Sequence, residues 1–237
     1  ANARYSKYTN NSNRTINVNN MLFQDSYSSL IDLFSYGLFV QTGDAYFKER
    51  LKLGMGARFD GNTYSNLMSN PLVQFSPRIS ASYLFNEHLS INANVGHYTK
   101  EPSYTSMGYK DSNDVFVNKD NLKYIHVNHY VLGFEFNTKA KIKASVEGFY
   151  KQYYNYPITL NEGISLASKG NDFGAVGDEP LISDGKGRAY GIEALFTAND
   201  IKKFNIYAVF TYFISEFTDI QGKYVSSSWD NRFILNL

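Results

Sequence analysis

Residues 50–60, RLKLGMGARFD, alternate in polarity at every position. The odd-numbered positions carry apolar side chains, and the even-numbered positions between them carry charged residues or glycine. Successive side chains of a β-strand point to opposite faces, so a period of two predicts a strand with one apolar and one polar face. The apolar set is Leu51, Leu53, Met55, Ala57 and Phe59; the polar set is Lys52, Gly54, Gly56, Arg58 and Asp60.

The same alternation recurs along the chain. It is clear in residues 74–85, 88–98, 141–154 and 190–198, and weaker near 124–136 and 204–215, where both faces carry apolar residues. These patterns predict nine strands, near residues 31–43, 50–61, 74–86, 88–100, 123–137, 140–156, 188–199, 203–217 and 228–237. Residues 1–30, rich in Asn and weakly patterned, are predicted to be mainly an outer loop.

The connections between these strands alternate in length. Short turns containing Asn or Asp fall at residues 86–88, 137–141 and 199–203, and long connections fall at 61–73, 101–122 and 157–187. A transmembrane barrel has short periplasmic turns and long extracellular loops. The sequence therefore predicts an all-β protein, an antiparallel transmembrane β-barrel.

Composition agrees with this fold class and excludes several functions. Of the 237 residues, 16% are aromatic, with 20 Tyr and 18 Phe, as expected for strands with one apolar and one wet face. The 23 basic and 22 acidic residues nearly balance, which argues against nucleic acid as a partner. Without cysteine, the chain has no disulfide, thiolate metal site or Cys nucleophile.

Aromatic residues lie near the predicted strand ends, where barrels carry girdles at the two membrane interfaces. The alternative is that Tyr and Phe are simply good strand formers. The candidates are Tyr36, Tyr46, Phe47, Tyr83, Phe85, Tyr150, Tyr153, Tyr154 and Tyr156.

Four short motifs resemble the barrel of TonB-dependent receptors, in the family's order. Residues 75–80, FSPRIS, followed by Ser82 and Tyr83, resemble the strand opening FSPR-x-S-x-S-Y. Residues 96–98 with 102–104 resemble the end of the next strand. Residues 188–193, RAYGIE, are similar to the recurrent R-x-x-G-x-E strand, and residues 229–232, WDNR, to a later D-x-R strand start.

The resemblance implies a 22-stranded barrel with an N-terminal plug, in the outer membrane of a Gram-negative bacterium. Such receptors import a scarce, bulky solute, such as a siderophore, cobalamin, glycan or peptide. The implied partners are outer-membrane lipid, the solute, the TonB complex through a plug outside this chain, and a surface lipoprotein. The odd number of predicted strands and the absence of a terminal aromatic residue indicate further strands beyond at least one end.

Two sets of residues are candidates for the site. The first is charged residues predicted to face the lumen, which in the family meet the plug or line the solute path: Arg58, Asp60, Arg78, Glu135, Glu147, Glu193, Asp230 and Arg232. The second belongs to the outer loop at 101–122 and the strand end before it, because loops on a rigid scaffold carry recognition. Its members are Tyr98, Tyr104, Tyr109, Lys110, Asp111 and Phe116. Plain lumen polarity and a self-packed loop are the respective alternatives.

No metal site, cofactor or catalytic centre is predicted. Asp172, Asp178, Glu179 and Asp184 do not have the spacing of a calcium loop, and turn chemistry explains them. His126 and His129, three residues apart on a strand, should point to opposite faces. The remaining functional alternatives are a passive porin, an outer-membrane enzyme on a smaller barrel, and a soluble β-sandwich or lectin-like module.

Overall fold

The computed structural model describes residues 1–18, 21–138, 142–170, 176–201 and 204–237. Within them lie eleven strands and two short helices. The strands are β1 (Asn2–Val18), β2 (Met21–Tyr46), β3 (Leu51–Asn62), β4 (Ser76–Leu84), β5 (Leu89–Lys100), β6 (Ile125–Asn137), β7 (Ile142–Thr159), β8 (Leu181–Ile201), β9 (Phe204–Thr218), β10 (Tyr224–Ser226) and β11 (Phe233–Asn236); the helices are α1 (Asn66–Ser69) and α2 (Tyr104–Gly108).

All the strands belong to one antiparallel sheet. Each strand from β1 to β10 pairs with its neighbours along the chain, and β11 also pairs with β9. The sheet is open, with β1 at one edge and β10 and β11 at the other. The prediction of an all-β antiparallel architecture is confirmed. No helix in the described part of the chain is long and apolar enough to cross a membrane.

The prediction that residues 1–30 form mainly a loop is wrong, because β1 and β2 form a long hairpin there. Their register runs from Asn2 opposite Gly37 to Val18 opposite Met21. Only residues 35–46 of β2 also pair with β3, so the rest of the hairpin projects past the wall. A hairpin outside lipid needs no continuous apolar face, which explains the weak alternation. Its extracellular location stays a prediction.

Other predicted boundaries also differ from the structure. Residues 157–159 and 181–187, predicted as loop, extend β7 and β8. Residues 157–159 pair with 181–183, and Gly185 and Gly187 pair with Tyr156 and Tyr153. The last predicted strand is divided: β10 pairs with residues 216–218 of β9, β11 pairs with residues 209–212, and residues 227–232 interrupt them. The six connections predicted to alternate between short and long do so, and the next connection, at 219–223, is short.

The two faces of the sheet differ as the alternation predicts. On the face that we call outer, Met55 lies opposite Ile79, which lies opposite Val95. These three side chains are 59%, 63% and 50% exposed, so no part of the described chain covers them. The opposite, inner face carries Arg78, in register with Gly56 and Gly96. An uncovered apolar face beside a polar one is the arrangement of a barrel wall in lipid.

An aromatic row crosses the outer face. Tyr130, Tyr150 and Tyr190 are paired on adjacent strands, with ring centroids 6.3 and 6.2 Å apart. Of the predicted girdle residues, Tyr150 belongs to this row. Tyr153 and Tyr156 do not, because their rings pack against buried Phe217, with centroids 5.2 and 4.4 Å away. The girdle prediction therefore fails for these two residues.

The buried core lies among the long connections, not within the wall. The segments at 63–75 and 101–124, together with Leu166, meet the buried side chains of Ile31 and Leu33 on β2. The other buried members of this core are Tyr64, Met68, Met107, Leu122, Tyr124 and Leu181. Asn118, which is fully buried, donates to the carbonyls of Ser106 and Glu179 and accepts from the Leu181 amide. The long connections thus form one packed unit.

Candidate functional site

A cavity of about 380 Å³ lies beside the first five strands, where they meet the long connections. We call it the wall cavity. Four residues predicted as site candidates meet here, three lumen-facing and one aromatic. Its lining is Asn2, Arg4, Ser35, Tyr36, Arg58, Asp60, Gly61, Ser76, Arg78, Tyr98, Thr99, Glu101 and Tyr124.

Arg58 and Asp60 form a two-point ion pair in this cavity. Arg58 Nε donates to Asp60 Oδ2 at 2.6 Å, and its Nη2 donates to Oδ1 at 2.8 Å. Residues two apart on a strand share a face, so the alternation itself places these groups together. Bidentate pairing fixes the guanidinium and leaves this part of the cavity neutral.

Arg78 has a different environment. Its guanidinium carbon lies 4.9 Å from the centre of the Tyr98 ring, as in a cation–π contact. Arg78 makes no ion pair with any residue that the structure describes. The ring holds one face of the guanidinium, and its N–H donors remain available to a ligand.

Arg4 and Glu101 connect the wall cavity to the loops. Arg4 Nη2 donates to Glu101 Oε1 at 2.8 Å and to the Tyr104 hydroxyl at 3.1 Å. Buried Asn62 donates to Glu101 Oε2 at 3.3 Å and to the Tyr124 hydroxyl at 3.1 Å. Sequence reasoning missed Arg4, because its segment was predicted as loop; the only signal is its position on a strand in register with β2.

A second cavity, of about 500 Å³, adjoins the wall cavity. We call it the loop cavity. It shares Arg4 and Glu101 with the wall cavity and adds Lys100 and Tyr156. Tyr104, a predicted solute contact, lines it. Its remaining lining residues are Pro102, Ser103, Ser106, Ile125, Pro157, Leu166 and Val176.

Two buried hydroxyls stiffen this region. Burial raises the pKa of Tyr64 well above its ordinary value, and the Tyr64 hydroxyl donates to the Met107 carbonyl at 2.6 Å. Burial also raises the pKa of Tyr124, with a smaller contribution from the negative charges of Glu101 and Asp60. Both hydroxyls therefore stay protonated at neutral pH.

The other four predicted loop residues make contacts within the loops or with the β1–β2 hairpin. Tyr109 packs edge-on against Tyr27, with centroids 5.5 Å apart. Lys110 pairs with Asp114 at 2.8 Å and lies 4.8 Å from the centre of the Phe116 ring, which itself packs on the buried core. Asp111 accepts from the amides of Asn113 and Val115, both at 3.0 Å. The hydrogen bond from Val115 is the main reason that the pKa of Asp111 is lowered. A role in solute binding stays a prediction for them.

The remaining lumen candidates lie apart from the cavities. Glu147 on β7 is directly opposite Glu193 on β8, on the inner face. Both are exposed, and neither makes an ion pair within the described parts of the chain. Like charges directly opposite each other destabilise a sheet. Elsewhere, Glu135 pairs with Lys143 at 3.1 Å, and Asp230 pairs with Arg232 at 3.1 Å in the interruption between β10 and β11.

The acidic and histidine candidates do not converge. Asp172 lies outside the described residues, and Glu179 pairs with Lys169. His126 contacts His97, with 3.0 Å between Nδ1 and Nε2, whereas His129 lies near Tyr98 on the other face. The predicted divergence of His126 and His129 is therefore confirmed. No group of three His, Asp or Glu residues suited to a metal ion occurs among the residues with described positions.

Comparison with known proteins decides the family. The family model described as "TonB dependent receptor-like, beta-barrel" matches residues 1–236. The chain belongs to the TonB-dependent receptor family. These receptors are Gram-negative outer-membrane proteins, which identifies the outer face of the sheet as its lipid side. None of the curated protein sequences matches the chain.

Solved TonB-dependent receptors share the fold. The siderophore receptor PirA from Pseudomonas aeruginosa is 16% identical with a TM-score of 0.60, over 91% of this chain and 42% of PirA. The pyoverdine receptor FpvA from P. aeruginosa PAO1, solved with pyoverdine, is 16% identical with a TM-score of 0.62, over 90% and 29%. The alcaligin receptor FauA from Bordetella pertussis is 16% identical with a TM-score of 0.55, over 98% and 42%. The chain thus spans less than half of each.

Proposed function

We propose that the protein containing this chain is a TonB-dependent importer of a scarce, bulky solute. The chain supplies part of the barrel wall, and its inner face meets a plug domain outside the chain. The solute belongs to one of four classes: siderophores, cobalamin, glycans or peptides. Its partners are outer-membrane lipid, the solute, TonB acting through the plug and a surface lipoprotein.

The proposal rests on the position of Glu147 directly opposite Glu193. Two exposed carboxylates face each other across adjacent strands, and the described chain provides no cation for either. A plug that presents basic side chains here would turn a destabilising pair into an attractive one. A passive porin has no plug, so it gives no comparable reason for the pair.

The test measures conductance and uptake with the full-length protein. In planar bilayers we expect no steady open-channel conductance, because a plug fills the lumen. In the double variant Glu147→Gln/Glu193→Gln, channel conductance should appear at a lower urea concentration, because the plug is held less tightly. The control Glu162→Gln, in a loop, should conduct as the native protein does. Steady conductance of the native protein, or solute uptake that survives loss of TonB or of the proton gradient, would overturn the proposal in favour of a porin.

A further inference from the structure

The wall cavity and the loop cavity are neighbours that share one ion pair. Arg4 on β1 and Glu101 after β5 line both, and their side chains form an ion pair at 2.8 Å. Arg4 is 58% exposed, so this pair is weakly held and screened by solvent. A solute larger than either cavity can displace it at little cost.

Charge in the combined site is not balanced. Its basic residues are Arg4, Arg58, Arg78 and Lys100, and its acidic residues are Asp60 and Glu101. Both acids are already paired, with Arg58 and Arg4. Arg78 and Lys100 remain, and neither forms an ion pair within the described ranges of the chain. The site therefore has two cations with no counter-charge.

These two cations share one face and have an aromatic ring between them. Arg78 is paired with Gly96 on β5, and Gly96, Tyr98 and Lys100 follow at intervals of two, which places them on the inner face. Four residues along a strand span about 13 Å, so the cationic positions are separated by the length of a small polyfunctional molecule. Tyr98 lies between them and stacks on Arg78.

We propose that the two cavities together bind a polyanionic solute, with acidic groups at Arg78 and Lys100 and an apolar or aromatic part against Tyr98. Arg78 is suited to this because its N–H donors match carboxylate, phosphate or sulfonate oxygens. The inference rests on the proposed function and names its substrate class. It disfavours neutral glycans, cobalamin and basic peptides.

The experiment uses pyrene tetrasulfonate, an aromatic tetra-anion, as the probe for full-length protein in detergent, followed by fluorescence anisotropy. Native protein should bind it saturably and should bind neutral hydroxymethylpyrene far more weakly. Arg78→Gln should weaken binding about tenfold, the effect of one lost charge-assisted hydrogen bond. Arg78→Lys should recover only part of the affinity, because lysine keeps the charge but lacks the planar N–H fork that matches an oxyanion and stacks on Tyr98. Lys100→Gln should weaken binding less than Arg78→Gln.

The matched control is Lys52→Gln, which removes the same charge from the inner face near the short turns, away from both cavities. It should leave binding unchanged. An equal loss in Lys52→Gln would show a general field effect and overturn the site, as would no saturable binding or equal affinity for the neutral pyrene. If the protein imports a neutral solute in a TonB-dependent manner, this inference is wrong and the proposed function is still supported.

Discussion

Asn118 shows how a single side chain organises the long connections. It is fully buried, and its three hydrogen bonds join α2, its own loop and the start of β8. Asn118→Ala would leave two carbonyls and an amide without partners, which should cost about 3 kcal/mol of local stability. Hydrogen exchange across residues 101–124 measures this loss. Asn113→Ala, at an exposed position in the same loop, should change exchange little; equal effects would contradict the assignment.

The buried tyrosines predict loosening of the loops at high pH. The pKa of Tyr64 and of Tyr124 is raised in the folded state, so their contribution is complete below the unfolded value of about 10 and is lost as pH rises above it. Limited proteolysis by subtilisin should therefore cut residues 63–75 and 101–124 faster at pH about 11 than at pH about 8. The double variant Tyr64→Phe/Tyr124→Phe should lose most of this difference. If the variant's cleavage rate changed with pH as much as that of the native protein, the assignment of the effect to these two tyrosines would be contradicted.

At the scale of strands, the close approach of β9 explains why a glycine occupies position 191. It is the glycine of RAYGIE, and a Cβ there would collide with the Tyr212 carbonyl and lie 2.8 Å from the Phe213 Cα on β9. Gly191→Ala should therefore destabilise the β8–β9 pairing by about 2 kcal/mol, the usual cost of overpacking. Gly148→Ala is the control, because its nearest contact would be 3.9 Å away. The folded fraction of each variant is measured by comparing unboiled with boiled samples on a gel. Equal folded fractions for Gly191→Ala and Gly148→Ala would contradict the clash.

Strands in the wall were predictable because lipid on one side and a polar lumen on the other enforce a period of two. The predicted β3 and β5 differ from the structure by one residue at most at either end. The β1–β2 hairpin and the extension of β8 to Leu181 were missed, since strands that leave the membrane no longer need an apolar face.

The site was predictable only where it follows strand alternation. Arg58, Asp60 and Arg78 were placed on the inner face by their period, and the structure brings them to one cavity. The contact of Arg4 with Glu101 joins residues 97 apart in sequence, and only the register of the sheet and the path of the loop create it. Neither strand period nor motif carries that information.

For the whole molecule, the difference between the two faces predicts how the wall tolerates charge. Leu132 is 51% exposed on the outer face, between the row of Tyr130 and that of Phe136. Arginine there would be buried in lipid, so Leu132→Arg should destabilise the barrel by about 2–4 kcal/mol. The measurement is urea unfolding of the full-length protein in lipid vesicles.

The neighbouring residue provides the control, because Val131 is an apolar residue on the same strand that points to the opposite face. Val131 is opposite Asn94 and Phe149 on the inner face and lines the same shallow cavity as Glu147. Val131→Arg adds the same charge at the same depth, but beside a carboxylate and water, so it should cost less than about 1 kcal/mol. Equal destabilisation by the two variants would mean that both faces meet the same medium. That result would contradict the assignment of lipid to the outer face.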